Sequence, residues 1–186
     1  MKKVIYIEGT QELENGDLRK AFAKLFEKEL GMNKPKVIMG NGISQTIDKF
    51  HSTPLNHDEK RFLLVDSDGP VTDKNAVCTR FNENKPNRKL DSLYNNTFLM
   101  IQEAEAWILS QPDILQNHGI STRKLPQRNV MEIPKPSETL GILYKNSGKE
   151  YHKVRDFSKL FPDLNTSRLK DYFDEFKTLI EELSKP

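Results

Sequence analysis

The sequence lacks long apolar runs and has almost no cysteine. No stretch approaches the roughly 20 apolar residues that a membrane-spanning helix needs, and the apolar run after Lys2 and Lys3 is too short for a signal peptide. Cys78 is the only cysteine in 186 residues, which excludes a disulfide framework and a cysteine-based zinc site. These absences predict a cytoplasmic protein with no membrane partner.

An excess of one charge sign is also lacking. The net charge is +2, although 30% of the residues are charged, and this balance does not by itself indicate a nucleic-acid partner. The cations are nevertheless concentrated between positions 123 and 155. This stretch contains Arg123, Lys124, Arg128, Lys135, Lys145, Lys149, Lys153 and Arg155, against Glu132, Glu138 and Glu150. It is either an anion-binding region or a solvated basic face.

Short apolar segments alternate with helical patterns over residues 1–112. Between the first two segments, apolar residues recur at helical spacing from Leu18 to Leu30, and Gly31 ends the pattern. The segments predicted to be strands are KKVIYIEG, PKVIMG, RFLLVD and TFLMIQ. This alternation predicts an α/β domain, Rossmann-like, with a parallel sheet of about four strands flanked by helices.

After Pro112 the pattern changes to a proline-containing loop and then to helices. The segment 137–148 has an N-cap serine and a terminating glycine, and helical segments at 156–164 and 167–185 follow. We therefore predict that residues 113–186 form a loop and a helical C-terminal extension packed on the domain of residues 1–112. The last helix has an apolar stripe that predicts core packing: Leu169, Tyr172, Phe173, Phe176, Ile180 and Leu183.

Carboxylates follow three of the predicted strands. They are Glu8 and Glu12 after the first strand, Asp66 and Asp68 after the third, and Glu103 and Glu105 after the fourth. The carboxyl ends of parallel strands share one edge of the sheet, where ligands bind. Clustered carboxylates repel one another unless a cation is present, and their oxygens suit hard ions. The pattern therefore favours a Mg²⁺ or Mn²⁺ site.

Each of these carboxylates also has a purely local explanation. Glu8 is compatible with an ordinary strand-to-helix turn, and Asp68, followed by Gly69 and Pro70, with an Asx-type turn. Glu103 and Glu105 suit the start of a helix, where the macrodipole favours negative charge. A calcium-binding EF-hand loop is excluded, because Val77 occupies the position of its bidentate glutamate.

A glutamate after the first strand, an Asp-x-Asp after a later strand and a further acidic position resemble the Toprim domain. That domain occurs in topoisomerases, primases, small ribonucleases and the nuclease half of OLD-type phage-defence proteins. The whole chain is more closely similar to a bacterial domain-of-unknown-function family related to Toprim. The stretches that match are YIEGTQE, LLVDSDG, FLMIQEAEAWIL, IPKPSETL and YHKVRDFSKLF.

The resemblance implies a metal-dependent nuclease of Toprim type. Glu8, Asp66, Asp68, Glu105 and, less directly, Glu103 would hold one or two Mg²⁺ or Mn²⁺ ions, which lower the pKa of an attacking water. Glu8 or Glu12 would accept that water's proton. The cations expected to contact the nucleic acid or offset charge in the transition state are Lys135, Lys153 and Arg155.

Two alternatives stay open. Members of the family often occur beside ATPases of the OLD or SMC-like kind, which implies phage defence and allows a non-catalytic, metal-binding subunit that docks on an ATPase through the loop 112–135. The stretch LLVDSDGPVTD also resembles the opening motif of haloacid-dehalogenase-like phosphatases. In that reading Asp66 is the phosphorylated nucleophile and Asp68 the acid/base.

Overall fold

The four strands form one all-parallel sheet in the order β2-β1-β3-β4, which confirms the predicted fold class. The computed structural model describes residues 1–9, 15–52, 58–83 and 94–186. The strands are β1, Lys2–Ile7; β2, Lys36–Met39; β3, Glu59–Asp66; and β4, Thr97–Met100. The buried central segments of the strands are apolar, such as residues 62–65 of β3, as expected for a parallel sheet that is covered on both faces.

The register brings the strand ends to one level. Ile7 pairs with Met39 on one side and with Leu64 on the other, and Asp66 pairs with Met100. The residues that directly follow β1, β3 and β4 therefore meet at the same edge of the sheet. This edge is called the carboxyl edge below.

Helices cover both faces of the sheet and form the C-terminal part. They are α1, Asn15–Leu30; α2, Ile43–Ser52; α3, Lys74–Asn82; α4, Glu105–Leu109; α5, Pro112–Asn117; α6, Pro136–Asn146; α7, Lys153–Leu160; α8, Thr166–Tyr172; and α9, Asp174–Ser184. Short 3₁₀ turns lie at Gly31–Asn33, Val130–Glu132 and Phe161–Asp163. Among the helices of the described ranges, none is long and apolar enough to cross a membrane.

The alternation of strand side chains divides the core in two. Ile5 and Ile7 of β1 face the larger cluster, which α1 and the C-terminal helices complete, whereas Val4 and Tyr6 face α2 and α3. Trp107 is at the centre of the larger cluster, fully buried. Its ring contacts the rings of Phe22, Phe161, Phe173 and Phe176.

The expected single helix over 167–185 is wrong, because the chain breaks between α8 and α9. Phe173 has extended backbone angles, φ −126° and ψ 100°, and its side chain is buried. The break redirects α9, so that Tyr172 is 48% exposed instead of lying in the predicted stripe. Burial of the Phe173 and Phe176 rings against Trp107 outweighs the helical continuity that the local pattern favours.

Gly40 ends β2 at a close approach between the sheet and α2. A Cβ atom at this position would lie 1.9 Å from Oγ1 and 2.8 Å from the backbone Cα of Thr46. We expect Gly40→Ala to lower the free energy of unfolding by about 1–3 kcal/mol, because the helix must move to make room. Chemical denaturation measures the change.

Gly141, inside α6, supplies the matched control. A Cβ there meets no atom within 4 Å, so Gly141→Ala should raise the free energy of unfolding by about 0.5–1 kcal/mol. Equal effects of the two substitutions would show that α2 does not abut the sheet as described.

Candidate functional site

Asp66 ends β3 with its carboxylate turned into the protein. It is 8% exposed, and its Oδ1 accepts a hydrogen bond from the Ala104 N–H at 2.9 Å. Its Oδ2 lies 3.9 Å from the Nζ of Lys153. Burial raises the pKa of Asp66 well above its usual range; Lys153 opposes this rise, and the charges of Glu105 and Glu8 add to it.

Glu8 is coupled to Asp66 through the backbone. Its N–H donates to the carbonyl of Leu64 at 3.0 Å, which continues the β1–β3 ladder, and its Oε2 accepts from the Asp66 N–H at 3.1 Å. Burial raises the pKa of Glu8 to about 7. The hydrogen bond from the Asp66 N–H opposes this rise, because it stabilises the charged form. The carboxylate of Asp68 lies close enough to add to the rise.

Glu105 is the deepest of the carboxylates, with no exposed surface. Its Oε1 accepts from the Tyr151 hydroxyl at 3.1 Å and lies 3.2 Å from Lys153 Nζ. Its Oε2 is buried without a hydrogen-bond partner among the described residues. Lys153 is therefore the charge that offsets the cost of burying this carboxylate.

Lys153 therefore supplies the cation that the carboxylate pattern requires. Although burial alone would lower it, the pKa of Lys153 is raised by the charges of Glu105 and Asp66. The residue begins α7, so the C-terminal helical part delivers this ammonium group to the carboxyl edge. Its Nζ lies over the Phe157 ring, 5.9 Å from the ring centre.

A small cavity opens beside these groups. Its volume is about 50 Å³, enough for a few water molecules or an ion with part of its hydration shell. The lining combines charged side chains with apolar ones: Glu8, Gly9, Leu18, Phe22, Asp66, Met100, Ala104, Lys153 and Phe157. A group bound here would touch both Glu8 and Lys153.

Asp68 lies outside this cavity, on a strained loop. It is exposed and has φ +51°, a left-handed conformation that is uncommon outside glycine. The buried Gln102 has φ +65°, and its carbonyl accepts from the Asp68 N–H at 2.9 Å. The Ser67 hydroxyl ties the two loops by accepting from the Gln102 N–H at 2.8 Å. Such strain is frequent at functional sites.

Glu103 has the local role that its sequence position suggested, but for a different helix. Its Oε2 accepts from the Ser137 N–H at 2.7 Å and so caps the first turn of α6. The expected N-cap, Ser137, is instead inside that helix, which begins at Pro136, and Lys135 occupies the N-cap position with φ +47°.

Two of the predicted phosphate contacts are already paired. Lys135 is exposed and lies 2.8 Å from Glu138. Arg155 binds both carboxylate oxygens of Asp156, at 3.0 and 2.9 Å. Glu12, the other predicted proton acceptor, lies outside the described residues.

The structure also brings in residues that sequence reasoning missed. Arg80, in the last turn of α3, donates from Nη2 to the carbonyl of Ser67 at 2.5 Å and opposes the rise in the pKa of Asp68 that partial burial and Glu103 cause. Tyr151 fixes the Glu105 carboxylate. Neither residue belongs to a catalytic motif, although Tyr151 begins the stretch YHKVRDFSKLF, which also contains Lys153.

Within the described ranges, no three acidic, histidine or cysteine side chains are grouped tightly enough to chelate one ion. The donor set therefore differs from an all-protein metal cage. Mg²⁺ is commonly bound through one or two carboxylates, with water and substrate phosphate completing its shell. Glu8 and the Asp66–Asp68 turn fit that mode, whereas Glu105 is occupied by Lys153 and Glu103 by the α6 cap.

A family model described as Domain of unknown function (DUF4276) matches residues 8–184. The chain belongs to this family. The matched range extends from Glu8 to the last residue of α9 and contains every carboxylate of the carboxyl edge. No curated protein and no solved structure matches the chain. Membership of a domain-of-unknown-function family is confirmed, and its relation to Toprim domains stays a prediction.

The ion pair between Glu105 and Lys153 predicts a non-additive response in this DUF4276 chain. Lys153→Met should lower the free energy of unfolding by about 2–3 kcal/mol, because it leaves the buried Glu105 carboxylate without its cation. Adding Glu105→Gln should recover part of that loss. Chemical denaturation of wild type, both single variants and the double variant gives the coupling.

Lys177→Met, at an exposed position of α9, is the control and should change stability by less than about 0.5 kcal/mol. Strictly additive effects of Lys153→Met and Glu105→Gln would contradict the ion pair.

Glu8 predicts the direction of a pH dependence. Because its folded pKa of about 7 is above the ordinary 4.5, the folded state binds more protons than the unfolded state between these values. The free energy of unfolding should therefore fall as the pH rises through this interval, with Asp66 adding to the fall.

Glu8→Gln should flatten this dependence, measured by denaturation in EDTA. Glu181→Gln, which removes one exposed carboxylate far along α9, controls for net charge. If Glu8→Gln keeps the full wild-type slope, Glu8 is not the group responsible.

Proposed function

We propose that this protein hydrolyses phosphodiester bonds of nucleic acid in a reaction that depends on Mg²⁺ or Mn²⁺, at the carboxyl edge of its sheet. The observation that carries the proposal is the convergence of Glu8 and Asp66 at the ends of two adjacent strands, joined by the 3.1 Å hydrogen bond, around a cavity that also holds the ammonium of Lys153.

The ion would be held by Glu8 together with either Asp66 or Asp68, with water and substrate phosphate completing its shell, and when bound it would polarise the phosphate and acidify a water. Glu8 is suited to take up a proton, because its pKa of about 7 is close to neutral pH. Lys153, which also lines the cavity, offers positive charge to the phosphate. Arg80 offers a second cation beside Asp68.

One oxygen of the Asp66 carboxylate has a structural role and is not available to a metal ion. Since Oδ1 accepts the Ala104 N–H, only Oδ2 is free to face the cavity, where Lys153 approaches it. This arrangement holds the turn before α4 against the end of β3 and fixes the direction of Oδ2. The exposed Asp68 supplies the more accessible oxygens.

An ATPase partner of the OLD or SMC-like kind, and with it a role in phage defence, forms part of the proposal. It rests on the family resemblance described above. Lys153 is paired with Glu105, and a phosphate would compete with Glu105 for its ammonium group. This pairing is compatible with an enzyme that becomes active only when a partner or a substrate separates Lys153 from Glu105.

Asp68→Asn is the sharpest test of the activity. Asparagine tolerates the left-handed backbone at this position, so the fold should be kept while cleavage falls on the order of 100-fold or more. The wild type and the variant are incubated with Mn²⁺ and a plasmid, and separately with Mn²⁺ and a single-stranded RNA. Asp171→Asn, an exposed position on α8, should leave cleavage unchanged.

The alternatives give other outcomes in the same experiment. Hydrolysis of a chromogenic phosphomonoester without nucleic-acid cleavage, with a beryllium fluoride adduct at Asp66, would support the phosphatase. Inactivity on all substrates, also when the ATPase and ATP are added, would contradict the nuclease and favour the non-catalytic subunit.

A further inference from the structure

The three cations predicted to bind phosphate are engaged within the protein. Lys135 pairs with Glu138, Arg155 with both oxygens of Asp156, and Lys153 lies between Asp66 and Glu105. Surface ion pairs and buried ones both reduce the charge that a side chain presents to a ligand. A nucleic-acid strand must therefore find most of its cationic contacts elsewhere on the surface.

A second group of cations has no partner of this kind. Arg123, Lys124 and Arg128 are all exposed, and within the described parts of the chain none of them forms an ion pair. They belong to the segment 121–131, which contains no acidic residue. We call these three side chains the basic track.

Contacts within the protein hold the backbone of the segment 121–131 in place. At one end the Ser121 N–H donates to the Ser147 hydroxyl at 2.8 Å. In the middle Leu125 packs against the core, and at the other end Val130 is buried. Because the segment is ordered before any ligand arrives, little conformational entropy is lost on binding.

One end of the segment 121–131 lies near the carboxyl edge and the other end lies away from it. The distant end is held by Ser147, which directly follows the C-terminal end of α6. The N-terminal end of α6 is capped by Glu103, which belongs to the carboxyl edge. At the near end the carbonyl of Met131 accepts from the side chain of Gln102, the residue that is bonded to Asp68. Because α6 has eleven residues, its two ends are about 16 Å apart.

We infer that the basic track binds the phosphate backbone of a nucleic-acid strand beside the cavity. This inference rests on the proposed function, because it names the surface that holds the substrate of the same site. A carboxylate cluster repels a polyanion, and cations along its approach offset that repulsion and steer the strand to the edge. Charge complementarity makes the strand, rather than an apolar partner, the occupant.

Binding is measured without catalysis. A fluorescein-labelled single strand is titrated with the full chain in EDTA, and the association constant is followed by anisotropy at roughly 50–200 mM salt. The triple variant Arg123→Gln, Lys124→Gln, Arg128→Gln should bind at least about tenfold more weakly at the low-salt end. Its slope of log K against log salt should be shallower by about 2, since about 0.7 is lost per phosphate contact on a single strand.

The control removes the same number of charges elsewhere. Lys2, Lys24 and Lys36 are exposed and have no ion pair among the described residues, and Lys2 and Lys36 begin strands at the opposite edge of the sheet. Changing all three to Gln gives the same net charge, −1 instead of +2. This control should bind like the wild type. Arg123→Lys with Arg128→Lys should also keep binding, because the charges remain.

Loss of binding in the track variant alone supports the inference, provided that thermal denaturation shows both triple variants folded. Equal losses of affinity in the two triple variants would show that only net charge matters and would overturn the inference. Wild-type affinity in the track variant, or failure of the wild type to bind any strand, would also overturn it. The proposed function fails on a different measurement: a chain that binds through the track yet cleaves nothing in Mn²⁺ keeps this inference and loses the nuclease.

Discussion

The ammonium of Lys153 is the charge on which the carboxyl edge depends. It lies 3.2 Å from the fully buried carboxylate of Glu105 and 3.9 Å from that of Asp66. Two buried carboxyl groups this close together are costly in a low-dielectric site unless a cation lies beside them. Since Asp66 closes β3, Glu105 opens α4 and Lys153 opens α7, one electrostatic contact joins the sheet, the turn after β4 and the C-terminal helical part.

This contact also explains why a buried strand ends on aspartate. Asp66 accepts the N–H of Ala104 and so closes the turn that leads into α4. The sequence pattern favoured a Mg²⁺ or Mn²⁺ ion beside the carboxylates, and that ion stays a prediction; the side-chain cation that contacts Asp66 and Glu105, Lys153, was not expected in this role. The lysine comes from 87 positions further along, a separation that no local pattern reveals.

The fold was predictable because its signals are local. Alternating apolar segments indicated the parallel sheet, and the helical spacing from Leu18 to Leu30 predicted a helix that matches α1, which also ends at Leu30. Failures occurred where long-range packing decides the outcome. The break at Phe173 follows from the aromatic cluster around Trp107, and the α6 cap comes from Glu103, more than 30 positions before Ser137. The roles of the residues at the carboxyl edge likewise depend on contacts between residues that are far apart in the sequence.

The pairing of charges also sets the direction in which a polyanion can approach. Phosphate at the cavity has to compete with Glu105 for Lys153, so that binding there is costly unless contacts outside the cavity contribute. Arg123, Lys124 and Arg128 form no ion pair among the described residues and lie on the segment 121–131, whereas Lys135 and Arg155 are paired with neighbouring carboxylates. In the proposed function, substrate affinity and chemistry would therefore reside on separate surfaces, which meet at Gln102: its side chain donates to the carbonyl of Met131, and its own carbonyl accepts from the Asp68 N–H.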